Sequence, residues 1–183
     1  MSDARLSIVA DNIANVEDDG ITNLTVTSDQ TDVEIAALMG KAPDGTVTAD
    51  LSDMDADQVA AVVAASDKVA NLSVAENASV SLTLTEINDL DAAGLTPINA
   101  DPATAAANTG GSITIVADAD GTLDLSNVNA GGQSGTDENG GTLSLQIDSG
   151  VSLSVEGVTG SEKLAVTGEG TLVMTWDLSN VLN

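Results

Sequence analysis

Phenylalanine, tyrosine, histidine and cysteine are absent from this 183-residue chain, and Trp176 is its single aromatic residue. A folded interior normally draws on aromatics, which bury a large area each. Here it has to be assembled from Leu, Val, Ile and Ala, side chains that stack in repeating layers. Lack of cysteine excludes disulfides and thiolate metal sites, and lack of histidine removes the commonest transition-metal ligand. Basic residues are scarce as well: Arg5, Lys41, Lys68 and Lys163 face 29 acids, for a formal charge of −25. Counterion release needs a basic face, so neither nucleic acid nor an anionic lipid surface is an expected partner. No run approaches the 18 or so apolar residues of a membrane span, so no membrane insertion is expected. The opening MSDARLSIVADN has no basic segment followed by an apolar stretch, which predicts no cleavable signal peptide. So acidic a chain raises disorder as an alternative. Its 42% hydrophobic content, set in strict alternation, argues for a packed core instead.

What the sequence does contain is one recurring line. Its clearest copy is LAVTGEGTLVMTW, from Leu164 to Trp176, and it aligns with ITIVADADGTLDL from Ile113, LSVAENASVSLTL from Leu72 and LSLQIDSGVSLSV from Leu143. Weaker copies start at Leu24 and Leu6. An apolar first position and a small second position are followed by an apolar third: Ile8, Val26, Val74, Ile115, Leu145 and Val166. Five residues after each start comes an acid or its amide: Asp11, Asp29, Asn77, Asp118, Asp148 and Glu169. Self-similarity of this kind marks a repeat architecture.

Along the chain, period-two alternation predicts short strands at Leu6–Val9, Leu24–Thr27 and Thr46–Thr48. Thr31 with Glu34, and Asp55 with Gln58, read as capping boxes that open helices, the first closed by Gly40 and the second running to Ser66. A third helix is expected from Thr85, with Ile87 and Leu90 inward. Asp101-Pro102 signals a fourth, ending near Gly110. From Gly111 the pattern is strand and turn only: Ile113–Val116, Thr122–Leu125, Leu143–Ile147, Val151–Val155, Leu164–Val166 and Thr171–Trp176, with Ala130–Gly141 a glycine-rich loop. The expected fold is mainly β: a parallel β-solenoid-like stack of about six coils, with short helical insertions in the N-terminal half. It forms one domain over residues 1–183, with decorated strands in 1–110 and all-β coils in 111–183. Leu72, Ile113, Leu143 and Leu164 should lie above one another. An acid at Val166 or Leu145 should then disrupt far more than one at Thr167.

The chemistry on offer is carboxylate chemistry. Stacked in register, Asp118, Asp148 and Glu169 would form a ladder of like charges, and with no softer ligand present calcium is the cation that would bridge them. Asp118-Ala-Asp120-Gly121-Thr-Leu-Asp124 has the flavour of a calcium loop but lacks its third acidic position and distant glutamate. Asp118, Asp120, Asp124, Asp148 and Glu169 are the candidate metal ligands. The competing account is that Asp and Asn favour turns through hydrogen bonds to the local backbone. No catalytic residue is assigned, because there is no G-x-S-x-G elbow, no P-loop, no His and no Cys. Adjacent acids such as Glu17 and Asp18 are expected by number alone, and Trp176, falling on an inward column, reads as core.

The phrases LTLTEINDL (82–90), DGTVTADLSDMDADQVAAVVAASDKVANLSV (44–74) and GTLDLSNV (121–128) resemble repeat segments of large secreted bacterial surface proteins, the adhesins and S-layer-like proteins. The resemblance spans Leu24 to Val128 and implies an extracellular or cell-surface location, type I export, calcium dependence and a scaffold role. The chain departs from the family in lacking true calcium nonapeptides. The expected function is therefore an extracellular structural protein and not an enzyme: a self-associating subunit or module of a filament, lattice or adhesin, forming a homo-oligomer or polymer through its ends. A carbohydrate- or protein-binding surface module, with a cell-surface glycan as partner, is the alternative. A polysaccharide-acting enzyme comes third.

Overall fold

The structure, a computed structural model, describes residues 15, 17, 21, 23–75, 78–96, 98–99, 111–129, 143–157 and 164–174. Its elements in chain order are β1 (Thr25–Val26), α1 (Asp32–Met39), β2 (Val47–Asp50), α2 (Ala56–Ala64), β3 (Val69–Ser73), β4 (Ser79–Thr83), α3 (Leu84–Ala92) and β5 (Ile98–Asn99). The second half contributes β6 (Ser112–Ala117), β7 (Gly121–Asp124), β8 (Val128–Asn129), β9 (Leu143–Ile147), β10 (Ser152–Glu156), β11 (Leu164–Gly168) and β12 (Thr171–Met174).

Each helix starts where a reciprocal cap forms. Thr31 Oγ1 accepts from Glu34 N while the Glu34 carboxylate accepts from Thr31 N. Asp55 and Gln58 do the same for α2, at 2.9 and 2.8 Å. The third helix opens on Thr83 and Glu86, two residues before the expected start. The pattern is again Thr-x-x-Glu, so the signal was present, masked by the strand alternation that runs into it. Capping of this kind contributes about 1 kcal/mol per helix. The larger stabilisation comes from the buried faces: Ile35, Leu38 and Met39 on α1, Val59 and Val62 on α2, Leu84, Ile87 and Leu90 on α3.

All strand pairs are parallel. The sheets run β1-β2-β3, β4-β6-β9-β11, β7-β10-β12 and β5-β8. In the four-stranded sheet Val80, Ile113, Leu143 and Leu164 are successive partners, as are Leu82, Ile115, Leu145 and Val166. These columns point into one apolar cluster that also holds the inner faces of the helices. Along β6 and β9 buried residues alternate with partly or fully exposed ones, one face in the core and one outside.

The expectation of a mainly-β, solenoid-like stack of about six coils is not met. The described residues have mixed α and β content, with three α-helices and small parallel sheets of three or four strands. The helices are not insertions on a β framework. α1 packs on α2 and α2 on α3, and Leu84 of α3 fills the space inward of Gly121 in β7. The column supposed to join Leu72 to Ile113 is also wrong. Leu72 faces Ala49 in one sheet, whereas Ile113 faces Val80 in another. LSVA and SVSLT alternate identically, so periodicity could not say which of the two strands pairs. The repeat alignment, which sets Leu123 level with Leu153 and Met174, is off by two at Leu153 for a related reason. Leu123 faces Val155, and Val155 faces Met174, because residues 148–152 make a longer turn than 118–120. The expected strand at Leu6–Val9, the helix at Asp101–Gly110, the loop at Ala130–Gly141 and Trp176 all lie outside the described residues.

Candidate functional site

The three acids of the expected ladder are in register. Asp118, Asp148 and Glu169 each follow the last residue of β6, β9 and β11. Asp148 N donates to Ala117 O and Glu169 N donates to Ile147 O, both at 3.1 Å, so the backbone carries the column one residue past the sheet. All three side chains are exposed. Neighbouring parallel strands lie about 4.8 Å apart. Unit charges at that spacing in water repel by about 1 kcal/mol, which salt reduces further. A repulsion of that size requires no bridging ion.

The other two candidate ligands are employed elsewhere. Asp120 Oδ1 accepts from Ser152 N at 2.7 Å, tying the turn after β6 to the first residue of β10. Asp124 Oδ1 accepts from Ser126 N at 2.9 Å and opens the short 3-10 turn Leu125–Asn127. Asp148 receives a long contact from Gln146 Nε2 at 3.5 Å. Calcium needs six to eight oxygens gathered at one point. Among the described residues no group of three or more Asp or Glu side chains converges to hold a metal ion. The five expected ligands therefore divide between a solvated column and two backbone anchors, and they do not fit a shared calcium. The turn chemistry that competed with calcium accounts for Asp120 and Asp124.

Asp53 repeats the anchoring role and was not singled out from sequence. It sits at φ 56°, a left-handed conformation that Asp tolerates better than most residues. Its Oδ1 accepts from Ser79 N at 3.0 Å, while Asp53 N donates to Ser79 O at 2.8 Å. Asp53 and Asp120 thus each hold the first residue of a later strand, Ser79 of β4 and Ser152 of β10. Gln58 is a second residue whose role exceeds the sequence reading. Beyond its cap on α2, Nε2 donates to Ser28 O at 3.1 Å and to Gln30 O, and its side chain is 8% exposed. It binds α2 to the turn after β1.

The described residues form open grooves, two of which are candidates for a site. One, of about 430 Å3, is lined by Asp53, Asp55, Ser79, Ser81 and Thr114. Its carboxylates already serve Ser79 and the α2 cap. The other, of about 380 Å3, runs over the outer face of the first sheet past Asn23, Thr25, Thr46, Thr48 and Asn71. Neither has an aromatic wall on which a sugar ring could stack. No described helix is long and apolar enough to cross a membrane.

The last strands depart from the rest. Leu143, Leu145, Leu153 and Val155 are buried, yet their register partners on β11 and β12 are not. Val166 is 46% exposed, and Leu164, Leu172 and Met174 are half-buried; Val173, 48% exposed, pairs with Ser154 on the outward face. Val166 was expected in the core column, and its position at the end of the sheet overturns that. No protein-family model, curated protein or solved structure matches the chain.

Proposed function

We propose that this protein is a self-associating structural module of an extracellular or cell-surface assembly. The observation that carries the reading is the open end at β11 and β12. Two parallel sheets stop there, with no further strand among the described residues pairing with β11 or β12, and with half-exposed aliphatic side chains. Edge strands on a protein that works alone are usually blunted by charge, proline or a bulge. LAVTG and TLVM contain no charged residue and no proline, in a chain that carries 29 acids. The resemblance of phrases in the chain to repeats of secreted surface proteins supports the location, and the acidic exterior suits a salt-exposed setting. Turn anchoring by Asp120 and Asp124 makes association a matter of packing and independent of calcium. Light scattering over a concentration series, with calcium and with chelator, tests this. Rising mass in both conditions is expected. A monomer at every concentration refutes the reading, and association lost on chelation refutes its calcium-independence.

A further inference from the structure

We infer that the surface which meets β11 and β12 is the same edge of a second copy, related by a two-fold axis. The inference rests on the self-association just proposed and adds the partner surface and its symmetry. A head-to-tail arrangement would lay β11 and β12 against a free parallel edge elsewhere on the chain. The far ends of these two sheets do not offer one. At β4, Asp53 takes both backbone groups of Ser79, and α2 packs against the strand. At β7, Leu84 of α3 occupies the space inward of Gly121, so α3 stands beside that strand. Among the described residues, the other two sheets offer no match either: β1, β5 and β8 are strands of two residues, too short for the five of β11, and β3 lies against β5.

The edge that does match β11 in length and apolar content is β11 itself. Laid on its own copy it pairs antiparallel, the slightly more stable sense. Full overlap of residues 164–168 places the central residue, Val166, opposite Val166 of the second copy. Charge favours the same solution. A further parallel strand would extend the column Asp118, Asp148, Glu169 by another like charge. A two-fold reverses strand direction and sends the two Glu169 side chains to opposite ends of the interface. What is buried is the inward aliphatic surface left partly exposed in one chain: Leu164, Val166, Leu172 and Met174.

Sedimentation velocity of the full chain, with Val166→Asp and Val166→Lys alone and mixed, tests the inference. Val166 is half-exposed, so both variants should keep the wild-type far-UV circular dichroism spectrum, which is checked first. Wild type should sediment as a dimer. Each variant alone should associate about tenfold more weakly or worse, since like charges would face each other. An equimolar mixture should recover the dimer, because Asp then faces Lys. Variants that associate like wild type would remove this edge as the interface while leaving self-association intact. Loss in both variants without recovery on mixing would mean that the edge meets a different surface, which overturns the two-fold. A wild type that never associates overturns both the inference and the function on which it rests.

Discussion

Leu145 and Val166 are partners in adjacent strands and occupy the same column of the repeat, yet Leu145 is fully buried and Val166 is 46% exposed. Truncating each to alanine should separate them. Leu145→Ala removes most of a buried side chain with neighbours on both sides in β6 and β11, and such changes cost about 2–5 kcal/mol. Val166→Ala deletes two methyl groups. At about 0.8 kcal/mol per fully buried carbon, with half of that burial realised, the cost is under about 1 kcal/mol. Urea unfolding reads the difference. With a slope of about 2 kcal/mol per molar, Leu145→Ala lowers the midpoint by about 1–2.5 M and Val166→Ala by less than about 0.5 M. The measurement belongs at the lowest workable protein concentration, because a dimer adds stability by mass action and would inflate the Val166 cost. Repeating it at high concentration should widen the Val166 effect and leave the Leu145 effect in place. Equal midpoint shifts at low concentration would refute the reasoning, since they would mean that Val166 is already covered within one chain.

Three further outcomes follow from particular contacts. Gly150 and Gly168 both have positive φ, at 85° and 98°, but a Cβ at Gly150 meets nothing within 4 Å whereas one at Gly168 would lie 2.1 Å from Ile147 O. Gly150→Ala should cost about 1–2 kcal/mol of backbone strain. Gly168→Ala should cost clearly more and should speed amide exchange in β9 and β11, both read by native-state hydrogen exchange. Gln58→Leu leaves Ser28 O and Asp55 N without their side-chain partner and should lower stability by about 2–3 kcal/mol in thermal unfolding. Finally, a chain of net charge −25 repels itself, so raising sodium chloride from about 0.1 M to 1 M, which shortens the screening length from about 10 Å to 3 Å, should raise the unfolding temperature. An unchanged or lower temperature would contradict that.

Local rules were legible in the sequence, and long-range pairing was not. The caps Thr31/Glu34 and Asp55/Gln58 were readable because a capping box is complete within four residues. The strand Leu143–Ile147 was placed to the residue by its alternation. Partnership between strands was another matter. A period of two repeats everywhere, so nothing local told LSVA, which begins at the end of β3, from SVSLT in β4 as the neighbour of ITIV, and a two-residue change in turn length shifted the second strands unseen. The status of the helices was hidden for the same reason. Their apolar faces were visible, but that they form a layer with the sheets depends on contacts such as Leu84 against Gly121. At the candidate site the register of Asp118, Asp148 and Glu169 was legible. The commitment of Asp120 to Ser152 spans 32 residues and leaves no local trace.

The magnitudes explain why acids can recur at one position of this repeat. Each added strand in the four-stranded sheet brings two or three inward aliphatic side chains, each contributing about 1.5–3 kcal/mol when fully buried. It also sets one more exposed carboxylate beside the last, at a cost of about 1 kcal/mol in water. Packing wins by several-fold, provided the carboxylate stays in the solvent. Asp118, Asp148 and Glu169 do so, and no acid occurs on the inward columns through Ile113 and Ile115. The margin is narrowest at the last strand, where side chains packed on one side realise part of their burial while Glu169 carries its full charge. β11 and β12 are therefore where this fold gains most from another chain.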